Sequence, residues 1–245
     1  MTRNDEVWKS EEVAKTFLES VRGAIPFAAA QIDVMLKIIQ NASLQVDFFL
    51  DLGCGDGILG KAILTKYPNA KGIFLDFSEP MIQAAKSKLD KNQQVEFINQ
   101  DFGKKEWVDS LRGRPPFDVI VSGFAIHHQQ DLRKKEIYNE IYGLLKPGGI
   151  FLNMEQVASN SQWVEKIYED LFIDSLYSFH QNNGSYSTRD EIAQLYCNRL
   201  DKAADILASV ETQCEWLREL GFIHVDCFIK IFERALFGGI RPLEK

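Results

Sequence analysis

The stretch Val46-Asp-Phe-Phe-Leu-Asp51-Leu-Gly53-Cys-Gly55-Asp-Gly57 decides the fold. An apolar strand runs into a loop with glycine at every second position, and helical spacing resumes near 57–67. Glycines let the chain turn sharply and let a ligand touch bare backbone. A helix N-terminus behind such a loop offers free N–H groups to an anionic or polar ligand. Gly55-x-Gly57-x-x-Gly60 also fits the dinucleotide spacing, a weak signal alone. Either ligand type calls for an acid at the end of the next strand to hold ribose hydroxyls, and Asp76 stands there.

Downstream, short apolar strands alternate with helical segments. The strands are Val46–Asp51, Ala70–Asp76, Gln94–Asn99, Phe117–Ser122 and Gly149–Glu155, with helices near 57–67, 79–90 and 131–145. That alternation predicts a parallel sheet covered by helices on both faces. Lys146-Pro-Gly-Gly149 reads as a helix stop before a strand start. Upstream, residues 1–45 carry Val13, Phe17 and Val21, then Ile32, Met35, Leu36 and Ile39, at helical spacing, with Pro26 in the first turn of the second helix. Residues 156–210 break the alternation with helices joined at Gln181-Asn-Asn-Gly-Ser185. Residues 211–245 hold a last helix ended by Gly221, and Phe222–Phe237 reads as a closing hairpin.

Composition excludes several classes. The 245 residues hold 28 Lys+Arg against 35 Asp+Glu, a net charge of −7, and 45% are hydrophobic. Disordered, collagen-like and coiled-coil chains are excluded, and the length suits a single domain with an embedded subdomain. A pI near 5.2 argues against a nucleic-acid partner. Cys54, Cys197, Cys214 and Cys227 form no CxxC pair and suggest no metal site, so they read as reduced thiols of a cytoplasmic protein. The polar N-terminus shows no signal peptide, and the apolar stretch 24–39 is too short and polar to span a membrane.

The glycine loop resembles motif I of the class I S-adenosylmethionine (SAM)-dependent methyltransferases. Leu75-Asp76-Phe-Ser-Glu-Pro-Met81, Gln100-Asp101-Phe102, Phe117-Asp-Val-Ile-Val-Ser-Gly123 and Leu145-Lys-Pro-Gly-Gly149 are similar to the family's later motifs, in the family's order. The resemblance implies a Rossmann-like α/β fold: a seven-stranded, mostly parallel sheet with a C-terminal antiparallel hairpin and a helical lid. It implies SAM as cofactor. Gly53, Gly55 and Gly57 would approach its methionine end, with Asp51 near the amino group and Ser122 at the neighbouring strand end. Asp76 would take the ribose diol, Asp101 and Phe102 the adenine edge, and Phe77 and Met81 its face.

Methyl transfer needs alignment and water exclusion, with a base only when the nucleophile arrives protonated. His127 and Glu155, after strands four and five, are the candidate catalytic residues, with His128 beside them. The 156–210 segment holds four of the seven tyrosines and eight acids against four bases, a composition for a small-molecule acceptor rather than nucleic acid. Arg22, Tyr186 and Arg199 are the candidate acceptor contacts. Together, 1–45 and 156–210 are expected to cover the pocket and to move about 181–185.

Arg22-Gly-Ala-Ile-Pro26, Gly184-Ser-Tyr-Ser187 and Ser209-Val-Glu-Thr-Gln213 before Trp216-Leu-Arg-Glu-Leu-Gly-Phe222 resemble the carboxy-SAM synthases, which build a modified cofactor. The ordinary Gly-Cys-Gly-Asp-Gly loop departs from them, as does the gap needed at Asn198-Arg199. A carboxy-SAM synthase-like enzyme and a SAM-binding protein without turnover therefore remain alternatives to a methyltransferase.

Overall fold

The computed structural model describes residues 3–42, 45–89 and 94–244. Strands β1 (Phe48–Leu52), β2 (Lys71–Asp76), β3 (Val95–Asn99), β4 (Phe117–Gly123), β5 (Leu145–Gln156), β6 (Ile223–Ile231) and β7 (Arg234–Ile240) form one sheet in the order β3-β2-β1-β4-β5-β7-β6. The first five are mutually parallel, whereas β7 runs antiparallel to β5 and to β6. This is the seven-stranded, mostly parallel sheet with a terminal hairpin that the resemblance implied.

Nine helices surround the sheet among the described residues: α1 (Glu11–Thr16), α2 (Arg22–Ala24), α3 (Ala28–Ala42), α4 (Ile58–Lys66), α5 (Glu79–Leu89), α6 (Asp131–Leu144), α7 (Gln162–Asn182), α8 (Arg189–Cys197) and α9 (Val210–Glu219). None is long and apolar enough to cross a membrane. Alternate residues along each strand feed opposite cores. Phe49, Phe74, Val121 and Leu152 pack towards α3, α4 and α5, while Leu50, Ile73, Ile120 and Phe151 pack towards α6 and α9. A third cluster joins α2 to α7 and α8 through Ala24, Tyr168, Phe172, Ile192 and Tyr196, so the helical insertion has a core of its own.

Two local expectations need correction. Pro26 lies in a turn before α3 rather than in its first turn, since extended Ile25 ends α2 and Phe27 takes a left-handed φ of 59° just before α3. Lys146-Pro-Gly-Gly149 lies inside β5, with Gly148 at φ 81° forming an irregularity against β4 rather than preceding the strand. The expected end of the second core helix at residue 90 lies outside the described residues.

The sheet is tight where β1 meets β2. A Cβ on Gly72 would stand 2.4 Å from the Phe49 ring, and both rows are buried. Gly72→Ala is therefore expected to destabilise the fold by about 1–3 kcal/mol, the usual cost of overpacking. Urea denaturation measures it, and an unchanged midpoint would show that the Phe49 ring swings aside.

Candidate functional site

A cavity opens at the carboxyl ends of β1, β2 and β4, where open α/β sheets bind their ligands. Its floor is the glycine loop. Gly53, Gly55 and Gly57 have φ of 66°, 51° and 76°, which only glycine adopts without strain. A Cβ on Gly53 would lie 2.3 Å from Ala125 Cβ, whereas one on Gly55 would meet nothing within 4 Å. The loop thus presses on the fold at one glycine and offers bare backbone to the cavity at another.

Two buried carboxylates hold this loop. Asp76 accepts from the Gly55 N–H at 2.8 Å and the Ser78 N–H at 2.9 Å, tying the end of β2 to the loop of β1. Burial pushes its pKa up to about 6, against the pull of those backbone N–H groups. Asp51 accepts from the Gly60 N–H at 2.8 Å, and burial pushes it up to about 8. Asp76 lines the cavity, but Asp51 and Gly57 lie beneath the loop and do not. Asp51 anchors the first turn of α4 instead of facing a ligand.

The turn after β4 is built under strain. Phe124 takes φ 51°, unusual for a non-glycine residue, while its N–H donates to Met154 at 2.8 Å. The next turn sets His127 between two carboxylates. Nδ1 lies 2.5 Å from Glu155 Oε1 and Nε2 lies 3.4 Å from Asp205 Oδ1. Burial lowers the His127 pKa, but Glu155 and Asp205 together outweigh it and raise the pKa to about 9, so the ring is an imidazolium at neutral pH. Its neighbour His128 is pushed well below its ordinary value, by burial first and by the His127 charge second. His127, His128 and Asp205 are near enough for one metal ion, but the proton on His127 and the Arg199 guanidinium, 2.8 Å from Asp205, already balance that carboxylate.

The N-terminal segment straps the adjacent edge. Arg3 Nη2 donates to both Asp101 oxygens, at 2.9 and 2.8 Å, and Arg3 Nε donates to Asp5 at 3.0 Å. Gln129 donates to Asp5 and Ser78 donates to the Trp8 carbonyl, closing the strap over the loop. A π-helical turn at Phe17–Val21 then brings Phe17, Val21 and Arg22 to the cavity wall. The opposite wall comes from Phe172 on α7, Tyr196 on α8 and the stretch Arg199–Asp205.

Gly53, Gly55, Asp76, Phe77, Met81, Asp101, Phe102, Arg22, Arg199 and His127 all line the cavity. Three further candidates do not. Ser122 is fully buried and its hydroxyl donates to the Leu52 carbonyl at 2.8 Å, joining β4 to β1. Glu155 is fully buried and its oxygens are taken by His127 and by the N–H groups of His127 and Gln156, so it positions His127 and cannot serve as an open base. Tyr186 is 100% exposed, because Gly184 ends α7 at φ 80° and the following loop turns away from the cavity. The sequence reading missed Arg234, Asp205 and the strap residues Asp5 and Trp8. Asp205 could have been noticed as the acid just before the chain re-enters Ser209–Gln213, but nothing in a β-hairpin pattern marks Arg234.

Residues 50–151 match the family model described as "Methyltransferase domain". That match falls on the glycine loop, the strand-end acid and the parallel strands β2 to β4 already described. The match, the relatives and the shared fold support a class I SAM-dependent methyltransferase. They support a SAM-dependent enzyme, with SAM as its cofactor. It is 27% identical over 230 residues to a carboxy-S-adenosyl-L-methionine synthase of Nautilia profundicola, covering 93% of this chain and 91% of that protein. It is 32% identical over 117 residues to malonyl-[acyl-carrier protein] O-methyltransferase 2 of Ilyobacter polytropus, covering 48% of this chain and 42% of that one. Two solved structures share the fold: an O-methyltransferase family protein from Burkholderia thailandensis (TM-score 0.61, 18% identity, 99% of this chain and 68% of that one) and the structure described as "PigF with SAH" (TM-score 0.62, 17% identity, 97% and 62%).

In this methyltransferase the charge on His127 leaves a pH signature. The folded pKa is raised above 6.5 to about 9, so the stability it contributes is full below about pH 6.5 and is lost as pH rises through about 9. Glu155→Gln is expected to lower stability at pH 7 by about 1.5–3 kcal/mol, the usual value of a hydrogen bond to a charged group. It should also flatten the decline of Tm between pH 6.5 and 9.5. Asp51, with its raised pKa, slopes the same way in both proteins, so the difference between the two curves isolates His127. Parallel curves would show that His127 is uncharged.

Proposed function

We propose that this enzyme transfers the methyl group of SAM to a small-molecule acceptor held between the glycine loop and the helical insertion. The observation that carries this reading is one cavity lined by Gly53, Gly55, Asp76 and Phe102, by Arg22 of the N-terminal segment, and by Phe172, Tyr196 and Arg199 of the insertion. The cofactor supplies an electrophilic methyl group on a sulfonium. The open backbone at Gly55 fits its methionine end, and the buried Asp76 fits a ribose diol, which a carboxylate accepts bidentately. Phe77 and Met81 supply apolar surface for the adenine. Asp101 is held by Arg3, so the adenine edge forms with the N-terminal strap in place or displaces it.

His127 is spent as a cation between Glu155 and Asp205, so it orients or donates rather than removing a proton. An acceptor atom that needs no base therefore suits this site best. The eight acids of the insertion disfavour a nucleic-acid substrate.

A second reading has a specific observation behind it: the carboxy-SAM synthase of Nautilia profundicola matches over 91% of its length, against 42% for the malonyl-[acyl-carrier protein] O-methyltransferase. Mass spectrometry of the nucleoside that co-purifies with the protein separates the two. SAM or S-adenosylhomocysteine supports methyl transfer, and a carboxylated SAM overturns it in favour of the second reading.

Asp76→Asn is expected to weaken S-adenosylhomocysteine binding by about 10- to 100-fold, one charged hydrogen bond. Because the carboxylate titrates near 6, wild-type affinity should also fall as pH drops below about 6, and the variant should lose that dependence. Calorimetry from pH 5 to 8 reads both, and equal affinities would move the ribose elsewhere. Closure of the insertion and the strap over bound ligand predicts slower amide hydrogen exchange in 3–25 and 162–205 when S-adenosylhomocysteine is added. Slowing confined to the loop and the ends of β2 and β3 would make the lid static.

A further inference from the structure

Three arginines line the cavity, and two have carboxylate partners. Arg22 lies 3.6 Å from Asp56, and Arg199 pairs with Asp201 at 3.3 Å and Asp205 at 2.8 Å. Arg234 differs. It sits at the start of β7, opposite Gln156 and one residue past Glu155, and only 6% of it is exposed. Its Nε has no hydrogen-bond partner, and among the described residues it forms no ion pair. The neighbouring Glu233 feels the Arg234 charge but accepts its hydrogen bonds from Gln156 at 3.0 Å and Ser159 at 2.8 Å and forms no ion pair with the arginine. Three rings surround the guanidinium instead: Phe124 at 4.8 Å, Phe172 at 5.2 Å and Tyr168 at 5.5 Å.

Aromatic faces stabilise a cation without neutralising it. A desolvated charge without a carboxylate is costly to bury, and removing it for an apolar residue often stabilises a protein. A guanidinium kept in this state beside a ligand cavity retains its two-pronged donor edge for an anion that arrives with the ligand. The ring of Phe124 is held there by the strained turn after β4, which also borders the glycine loop.

We propose that Arg234, framed by Phe124, Phe172 and Tyr168, is the anchor for a carboxylate on a flat, aromatic or conjugated acceptor. This deepens the small-molecule reading above and rests on it. A carboxylate meets the fork of the guanidinium, and a planar body lies along the rings. Arg199 is set apart from this role because its own acids already satisfy it.

The test uses the full chain saturated with S-adenosylhomocysteine and titrated with benzoate, cinnamate, their amides and inorganic phosphate. Wild-type protein should bind at least one carboxylate ten-fold or more tighter than its amide. Arg234→Met should abolish that preference, keep the S-adenosylhomocysteine affinity within about two-fold and keep or raise Tm, and Arg234→Lys should restore part of the preference. Equal binding of carboxylates and amides by the wild type, which needs no variant to read, overturns the proposal. So does binding of phosphate alone. A fall in Tm in Arg234→Met with the preference intact makes the arginine a structural pillar and also overturns it. Failure of S-adenosylhomocysteine to bind at all overturns the cofactor reading itself and is seen before any acid is added.

Discussion

The arrangement of the cavity hangs on the imidazolium of His127 between Glu155 and Asp205. Glu155 belongs to β5, His127 to the turn after β4, and Asp205 to the return from the helical insertion. A buried carboxylate on the sheet would be intolerable alone. The protonated ring satisfies it and passes the positive charge outward to Asp205, which Arg199 also holds. The backbone follows the same route, since the Ile206 N–H donates to the His127 carbonyl at 3.0 Å. The His127 ring therefore links the sheet to the helical insertion.

Behind Glu155 the polar path continues into the sheet's interior. Asn153 reaches Glu155 at 3.5 Å and the Tyr138 hydroxyl at 3.4 Å, and Tyr138 donates to Gln213 at 2.5 Å on α9. Gln213 in turn donates to the Ala208 carbonyl at 3.1 Å. Each member of such a buried chain depends on the next for satisfaction. The similarity at Ser209–Gln213 to the carboxy-SAM synthases thus falls on residues that set the height of the lid return rather than on residues that touch a ligand.

Much of the core was legible because its rules are local. Near-continuous apolar runs mark parallel strands buried on both faces, and a glycine loop followed by an acid one strand later needs no tertiary knowledge. Asp76 was therefore found, and so was the cavity face of Arg22 and Arg199. Asp51 was misjudged because sequence spacing does not say whether a strand-end carboxylate points up to the cavity or down to a helix N-terminus, and Gly60 draws it down. Tyr186 was misjudged because its loop leaves α7 through a left-handed glycine. Arg234 and the Arg3 strap were invisible because each acquires meaning only from chain more than sixty residues away: Tyr168 and Phe172 for one, Asp101 for the other.

Most charges of the cavity are paired: Asp56 with Arg22 and Asp101 with Arg3 on the loop side, and Asp205 with Arg199 and His127 on the insertion side. Asp56, Asp76 and Asp101 lie along the glycine loop and the β2 and β3 ends, where a cationic sulfonium cofactor gains from a negative surround. Burial first, and the charges of Asp56 and Asp76 after it, lift Asp51 to about 8. Towards the insertion, Arg199 and His127 share Asp205, and Arg234 is framed by rings. The glycine loop and the helical insertion meet at the middle of the cavity. The strained turn at Phe124 sits at that junction, with the glycine loop on one side and Arg234 on the other.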